Sequence, residues 1–336
     1  MTDPLRIFTG SAHPRLAQEI AGILDVSLGK SVTNKLANNE ISVAIDETVR
    51  GQDVFFIQPG CPPVNDNLME ILLYLDAFRR AGARSISVVI PYFPYAGQDR
   101  IAKPRESIGA RVVANLLENQ GASRVIFVDL PNPAIQGFFN IPAERITALP
   151  LFIEYFHSTK LENAAIVSMD VGSVSLAEKY ASRLNLPQVV IHRLYNGTTD
   201  SKTIHVVGNI EGRQPIIIGN TITDGEALKA LDVLYEHGAV GKVCLSITHP
   251  VLPPNMLERI NQDDRIEKTV TTNTIPLSED EPCPKLVVLS VAPILADVIR
   301  IIYTEGSISS LFTFGGDMFS LSGDSTTDAP PPEKKK

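Results

Sequence analysis

The chain has 336 residues, with 30 Lys+Arg against 38 Asp+Glu and a formal net charge of −8. That length suggests about two domains of roughly 150 residues each, and the acidic balance argues against a broad nucleic-acid or anionic-membrane surface, so an anionic ligand must be held by local cations. The three cysteines, Cys61, Cys244 and Cys283, are far apart and odd in number, which gives neither a disulfide framework nor a zinc knuckle. The opening MTDPLRIFTG lacks the basic and apolar regions of a signal peptide, and no apolar run approaches the ~18 residues of a membrane span. These features point to a soluble cytoplasmic protein with no membrane partner.

In chain order, β-branched apolar runs alternate with segments of helical period. The first half predicts strands at Arg6 to Thr9, Asp53 to Gln58, Ser85 to Pro91 and Arg124 to Asp129, with helices over Pro14 to Leu24, Asn65 to Gly82 and Ile108 to Gln120. The second half predicts strands at Ala164 to Ser168, Gln188 to His192, Gln214 to Gly219, Lys242 to Thr248, Lys268 to Thr272 and Lys285 to Leu289. Its helices fall at Ser173 to Leu184, Gly225 to His237, Pro254 to Asn261 and Ala292 to Tyr303. This alternation implies an α/β fold with mainly parallel sheets flanked by helices, in two units divided near Leu149 to Phe152. The tail from Gly315 to Lys336 is rich in Gly, Ser, Asp and Pro and is expected to be disordered.

In such folds, ligands bind where strands end and loops begin. Four loops carry polar chemistry. Asn34 to Glu40 is rich in amides that suit a base-like ring, and is otherwise a plain surface loop. Pro91 to Arg100 turns an aromatic, proline-stiffened corner toward Lys103, Arg105 and Ser107, either a polyphosphate cradle or a solvated loop over core aromatics. Asp170, at the end of a strand, either meets a magnesium ion or caps the following helix. The run from Ile216 to Glu226 either holds a phosphate on a helix N-terminus or forms a capping box through Thr223 and Glu226. No P-loop, dinucleotide fingerprint, nucleophile constellation or zinc spacing is present.

These loops and their surroundings resemble the ribose-phosphate pyrophosphokinase (phosphoribosyl pyrophosphate synthetase) family. The resemblance rests on collinear segments such as RIFTGSAHPRLAQEIA, LGKSVTNKLANNE, VVIPYFPYAGQDR, IQGFFNIPAE, ITHPVLPPNMLERI and ILADVIRIIYTEGSISSLF. It implies two tandem phosphoribosyltransferase-like domains: 1–149 with the nucleotide loop, 150–314 with a ribose 5-phosphate loop, and 315–336 as tail. It further implies homo- or hetero-oligomers and transfer of the diphosphoryl group of ATP, or use of another adenine nucleotide, with Mg²⁺. Carried over residue by residue, it assigns Asn38, Glu40, Gln98, Asp99 and Arg105 to the nucleotide, and Asp170 to the metal. Arg193 falls on the catalytic loop, and Asn220, Thr223, Asp224 and Gly225 on the ribose 5-phosphate loop. Arg50, Ser307 and Ser309 match an allosteric phosphate site.

Several positions depart from the family's pattern. Leu36 stands where an aromatic stacks on adenine, Gly97 replaces an arginine, Pro131 replaces a metal-site histidine, and Tyr195 replaces a cation beside Arg193. Gly219-Asn220 replaces an acidic pair, and Asp224 and Glu226 bring negative charge to the phosphate cradle. Loss of each preorganised donor or charge can cost roughly 10²–10³ in rate. The resulting expectation is a catalytically impaired subunit that binds ribose 5-phosphate poorly and modulates a separate catalytic synthetase. The alternative is an active Mg-dependent ribose-phosphate diphosphokinase.

Overall fold

The computed structural model describes residues 5–307 except 160, 162, 170–171, 196–201, 222–225, 254 and 279–281. In chain order the first half comprises β1 (Arg6–Thr9), α1 (Pro14–Ile23), β2 (Ser31–Lys35), β3 (Ile41–Ile45), β4 (Asp53–Ile57), α2 (Val64–Arg80), β5 (Ser85–Val89) and α3 (Gly109–Gln120). It continues with β6 (Arg124–Val128), a 3₁₀ turn at Pro133–Phe138, β7 (Ala143–Ile146) and α4 (Leu149–Ser158). The second half comprises β8 (Ala164–Ser168), α5 (Val174–Leu184), β9 (Gln188–Tyr195), β10 (Lys202–Val207), β11 (Gln214–Thr221), α6 (Glu226–Glu236), β12 (Val243–His249), α7 (Met256–Gln262), β13 (Ile266–Thr272), β14 (Leu286–Leu289) and α8 (Ala292–Tyr303).

Two sheets result, in the orders β1-β4-β5-β6-β7 and β10-β9-β8-β11-β12-β13-β14, with β2 and β3 forming a separate hairpin. All pairings in the two large sheets are parallel except β9 with β10. Strand periodicity decides which helices cover which face. In the first sheet Phe8, Val54, Phe56, Val88 and Phe127 point into a core with α2 and α3. Their neighbours Ile7, Phe55, Ile57, Val89, Ile126 and Val128 point the other way.

That second face is shared. Ile166, Ile216, Ile218 and Val270 of the second sheet join the same cluster, together with Leu16 and Ile20 of α1, Phe152 and Phe156 of α4, Tyr180 of α5 and Leu295 and Ile299 of α8. A helical layer between the sheets thus locks the halves into one body, with each fully buried Leu, Ile or Phe contributing about 1.5–3 kcal/mol. The stretch where the sequence marked a division, Leu149 to Phe152, lies in α4 and within this shared core. The outer face of the second sheet packs on α6 and α7 through Ala165, Val167, Ile217 and Leu245.

Sequence patterning misses three strands and the hairpin partner of one of them. The hairpin β2–β3 is half polar and only partly buried, so its alternation is too weak to read against a loop. β7 (AERI) is a four-residue edge strand, and β10 pairs only through the antiparallel edge.

Candidate functional site

Parallel strands bring their carboxyl ends to one edge of each sheet, and the two edges meet. β6 runs into Asp129, a non-glycine residue at φ 33, and β12 ends at His249, which is 3 % exposed. The His249 Nε2–H donates to the Asp129 carbonyl oxygen at 2.9 Å, and Nδ1 faces the Thr274 hydroxyl at 2.9 Å. The Asp129 carboxylate accepts the Ala148 N–H at 3.0 Å and the Thr248 hydroxyl at 3.2 Å. Tyr92, from the loop after β5, meets the His249 ring edge-on at 5.2 Å. Burial holds the His249 imidazole below its ordinary value of 6.5, against the pull of the Asp129 carbonyl and carboxylate. A neutral ring is the form that donates through Nε2 and accepts at Nδ1.

A second polar joint lies beside it. His13, at the start of α1, donates from Nε2 to the Asn273 carbonyl at 2.9 Å. The Asn273 amide donates to Ser290 at 3.0 Å and Glu19 at 3.2 Å, and Ser290 donates to Glu19 at 2.7 Å. Burial also lowers the His13 pKa.

The loop after β5 carries Gln98, Asp99 and Arg105. Its backbone is forced: Tyr95 and Arg105 adopt φ 58 and φ 71, a conformation that side-chain-bearing residues take up at a cost and that concentrates at ligand sites. The Gln98 carbonyl accepts the Ala110 N–H at 3.1 Å. Gly109 lets the helix start close to this loop, where an added Cβ would stand 2.7 Å from Gln98 Oε1. Asp99 accepts from the Asn132 amide at 2.6 Å, so the residue after Pro131 reaches the carboxylate. Gln98 and Arg105 are exposed.

Asn38 and Glu40 sit at the exposed tip of the hairpin β2–β3, where Asn38 Oδ1 accepts the Glu40 N–H at 3.2 Å and Asn39 takes φ 68. Lys35 pairs with Asp66 of α2 at 2.8 Å. Leu36 is 46 % exposed at the same tip.

In the second sheet β8 is flanked by β9 on one side and β11 on the other. The chain reverses its direction of travel there, a switch point of the kind where ligands lodge in α/β sheets. Asn220 lies at this edge on β11. Gly219 beside it lets the strand approach Met169, whose Cε would stand 2.8 Å from an added Cβ. Asp170, Thr223, Asp224, Gly225 and Ser309 lie outside the described residues. Arg193 is on β9, in register with Ile204 of β10, and its side chain is outside the description. Arg50 follows β3 with its guanidinium beside Gly82, and Ser307 follows α8.

Among the described residues no group of three or more His, Cys, Asp or Glu is placed to hold a metal, and no helix is long and apolar enough to cross a membrane. Sequence reading misses Gln58, Glu70, His13 and His249, buried polar residues that fasten neighbouring segments, and the exposed Ser11 that bonds to Glu70. A signal exists for Glu70, which interrupts the inward stripe Asn67, Ile71, Tyr74 and Phe78 of α2 with a charge.

Comparison with known proteins places this geometry. Residues 5–121 match the N-terminal domain of ribose phosphate pyrophosphokinase, and residues 197–313 match the phosphoribosyl synthetase-associated domain. A ribose-phosphate pyrophosphokinase of Helicobacter hepaticus is 43% identical over 308 residues, covering 91% of this chain and 98% of the relative. That of Bacillus subtilis is 42% identical over 310 residues, covering 92% and 97%. The crystal structure of phosphoribosylpyrophosphate synthetase from Mycobacterium smegmatis superposes with a TM-score of 0.84 at 38% identity, over 90% of this chain and all of that one.

These matches overturn the expectation of a catalytically impaired, modulating subunit. They run nearly end to end through proteins that are themselves ribose-phosphate pyrophosphokinases. The expectation rested on the cost of individual altered positions, and such single-residue costs do not fix the rate of a site whose groups act as a unit. It also placed Asp224 and Glu226 against a phosphate, although neither side chain lies among those described. The chain belongs to the ribose-phosphate pyrophosphokinase family.

Proposed function

We propose that the chain is an active Mg²⁺-dependent ribose-phosphate diphosphokinase, working in the cytoplasm and converting ATP and ribose 5-phosphate to phosphoribosyl pyrophosphate and AMP. The observation that carries this reading is the collinear likeness to curated pyrophosphokinases over about nine-tenths of the chain. It is supported by Gln98 and Asp99 on the loop after β5 and Asn220 near the end of β11. The adenine nucleotide is read by Asn38 and Glu40 at the hairpin tip and its phosphates are met by Gln98, Asp99 and Arg105. Ribose 5-phosphate lodges at the β8/β11 switch point on the loop from Asn220 through Thr223, Asp224 and Gly225, and Arg193 supplies the mobile cation. Arg50, Ser307 and Ser309 take a regulatory phosphate, and the chain assembles with copies of itself.

Mg²⁺ fits as part of the substrate. Such an ion keeps several waters and would be held by substrate phosphates with one or two carboxylates. Asp170 is the carboxylate offered to it, and the ion neutralises charge on the transferred group. The chain's own task is positioning, because a loose phosphoryl-type transition state asks for alignment and charge more than for a covalent nucleophile. The loop after β5, braced by Asp99 with Asn132, and the hairpin do this. Phosphorus NMR of the reaction checks the assignment. Equal amounts of AMP and the 1-diphosphate of ribose 5-phosphate are expected, whereas ADP or free phosphate as the sole product would overturn it.

A further inference from the structure

Glu70 is 1 % exposed, and a buried carboxylate is costly unless donors surround it. Both oxygens are filled. Oε1 accepts the Ser11 N–H at 2.8 Å and the Thr33 hydroxyl at 2.7 Å, and Oε2 accepts the Ser11 hydroxyl at 2.6 Å and the Gln58 amide at 2.8 Å. These partners come from three places: the turn between β1 and α1, strand β2 and the end of β4. Gln58 is fixed in turn, because its Oε1 accepts the Ala12 N–H at 3.0 Å and Gly10 leaves no space beside it.

The consequence falls on the hairpin. Val32 is exposed, and Val43 and Ile45 are only partly buried against the first-half core. An element with so little apolar anchorage is easily displaced, and its position depends on polar fastenings. Thr33 is one, bound to Glu70 and to the Tyr74 hydroxyl at 2.9 Å. The pair of Lys35 with Asp66 is exposed and weak. Through Ser11 the same carboxylate reaches the turn that leads to His13 and the joint with Asn273. A carboxylate that only filled the stripe of α2 would not need partners on three separate segments.

We propose that Glu70 is the positioning residue that sets the hairpin β2–β3, and so the Asn38–Glu40 tip, for the adenine nucleotide. This rests on the synthetase reading above. The swap of charge across the Gln58–Glu70 contact separates positioning from bulk. Glu70→Gln turns an acceptor oxygen into a donor facing the Gln58 amide. Adding Gln58→Glu restores an acceptor opposite that donor, and the carboxylate so introduced still accepts the Ala12 N–H.

The experiment uses the full chain. Steady-state kinetics give KM for MgATP and for ribose 5-phosphate, and amide hydrogen exchange is followed over residues 31–45. Glu70→Gln is expected to raise KM for MgATP about tenfold, the size of one lost charge-assisted hydrogen bond, with KM for ribose 5-phosphate within about twofold. Hairpin amides exchange faster in Glu70→Gln and in Thr33→Val, and the double variant Gln58→Glu/Glu70→Gln regains slow exchange and a low KM. Equal rises in both KM values, or unchanged hairpin exchange in a folded Glu70→Gln, would overturn the proposal. If the wild-type chain forms no product, the functional reading fails, and the exchange measurement still decides whether Glu70 sets the hairpin.

Discussion

The named strands of the first sheet run β1-β4-β5-β6-β7 in rising order, and on the far side of β1 only a single parallel bridge, Ile7 to Leu28, is formed. The second sheet reverses at β8, between β9 and β11. A crevice at the second sheet's edge is therefore a consequence of topology. The first sheet has no full strand on that side of β1, and its half of the proposed site is built from an added hairpin, a loop forced through positive φ at Tyr95 and Arg105, and the buried carboxylate Glu70 that fastens the hairpin. Two units of one fold class thus reach a binding edge by different means, and they should respond differently to substitution.

The largest effect is expected on the topological side. Arg193→Ala removes the cation proposed for catalysis, and kcat should fall roughly 10²–10³-fold, as for loss of a preorganised charge at a reaction centre. KM for MgATP should change little, and a kcat within about threefold of wild type would remove Arg193 from the chemistry.

On the constructed side the sensitive point is packing. Gly10→Ala would place a Cβ 2.5 Å from Oε1 of Gln58, which is fully buried and held on both ends of its amide. Overpacking of this kind costs about 1–3 kcal/mol. Denaturant unfolding reads it, and an unchanged midpoint would show that the Gln58 and Glu70 fastening yields easily.

A smaller effect is expected where the two halves meet. His13 and His249 both have imidazole values lowered by burial from 6.5. The unfolded chain then binds protons that the folded chain does not, so stability is constant above about pH 7 and falls as pH drops below the ordinary value. The melting temperature should decline between about pH 6.5 and 5, less steeply in His249→Gln than in wild type. Equal slopes would mean that the joint does not sense protons through this ring.

The last contrast concerns the thiols. Burial pushes Cys61 up to about 11 and Cys244 up to about 12, whereas Cys283 is half-exposed. Alkylation of the native chain at about pH 8 should label Cys283 first, since the thiolate is the reactive form. Early labelling of Cys61 would show that the first-half core opens more readily than its packing implies.

Apart from the edge strands β7 and β10 and helix α4, the strands and helices of both sheets were legible because residues such as Phe55, Phe56, Ile166 and Ile217 alternate between apolar cores, which writes continuous apolar runs into the sequence. The hairpin was not, since Thr33 and Lys35 satisfy themselves with polar partners and leave no apolar period. Among site residues, those on loops after strands could be named from position and from likeness to a family. Glu70 and His249 act through partners 37 and 120 residues away in sequence, and such pairing leaves no local trace. The substituted positions, Leu36, Gly97 and Pro131, were legible as differences from the family's pattern, but their consequence was not. Asn132 Nδ2 on Asp99 shows why, because a neighbour can brace a carboxylate beside a lost side chain.

The central claim is that this chain, with no second kind of subunit, catalyses diphosphoryl transfer. Its most direct test is the turnover of the homogeneous, purified chain with MgATP and ribose 5-phosphate. A rate in the ordinary enzyme range of ~1–10³ s⁻¹ is predicted. A folded chain that forms no phosphoribosyl pyrophosphate above background, under conditions where a relative is active, would contradict the account.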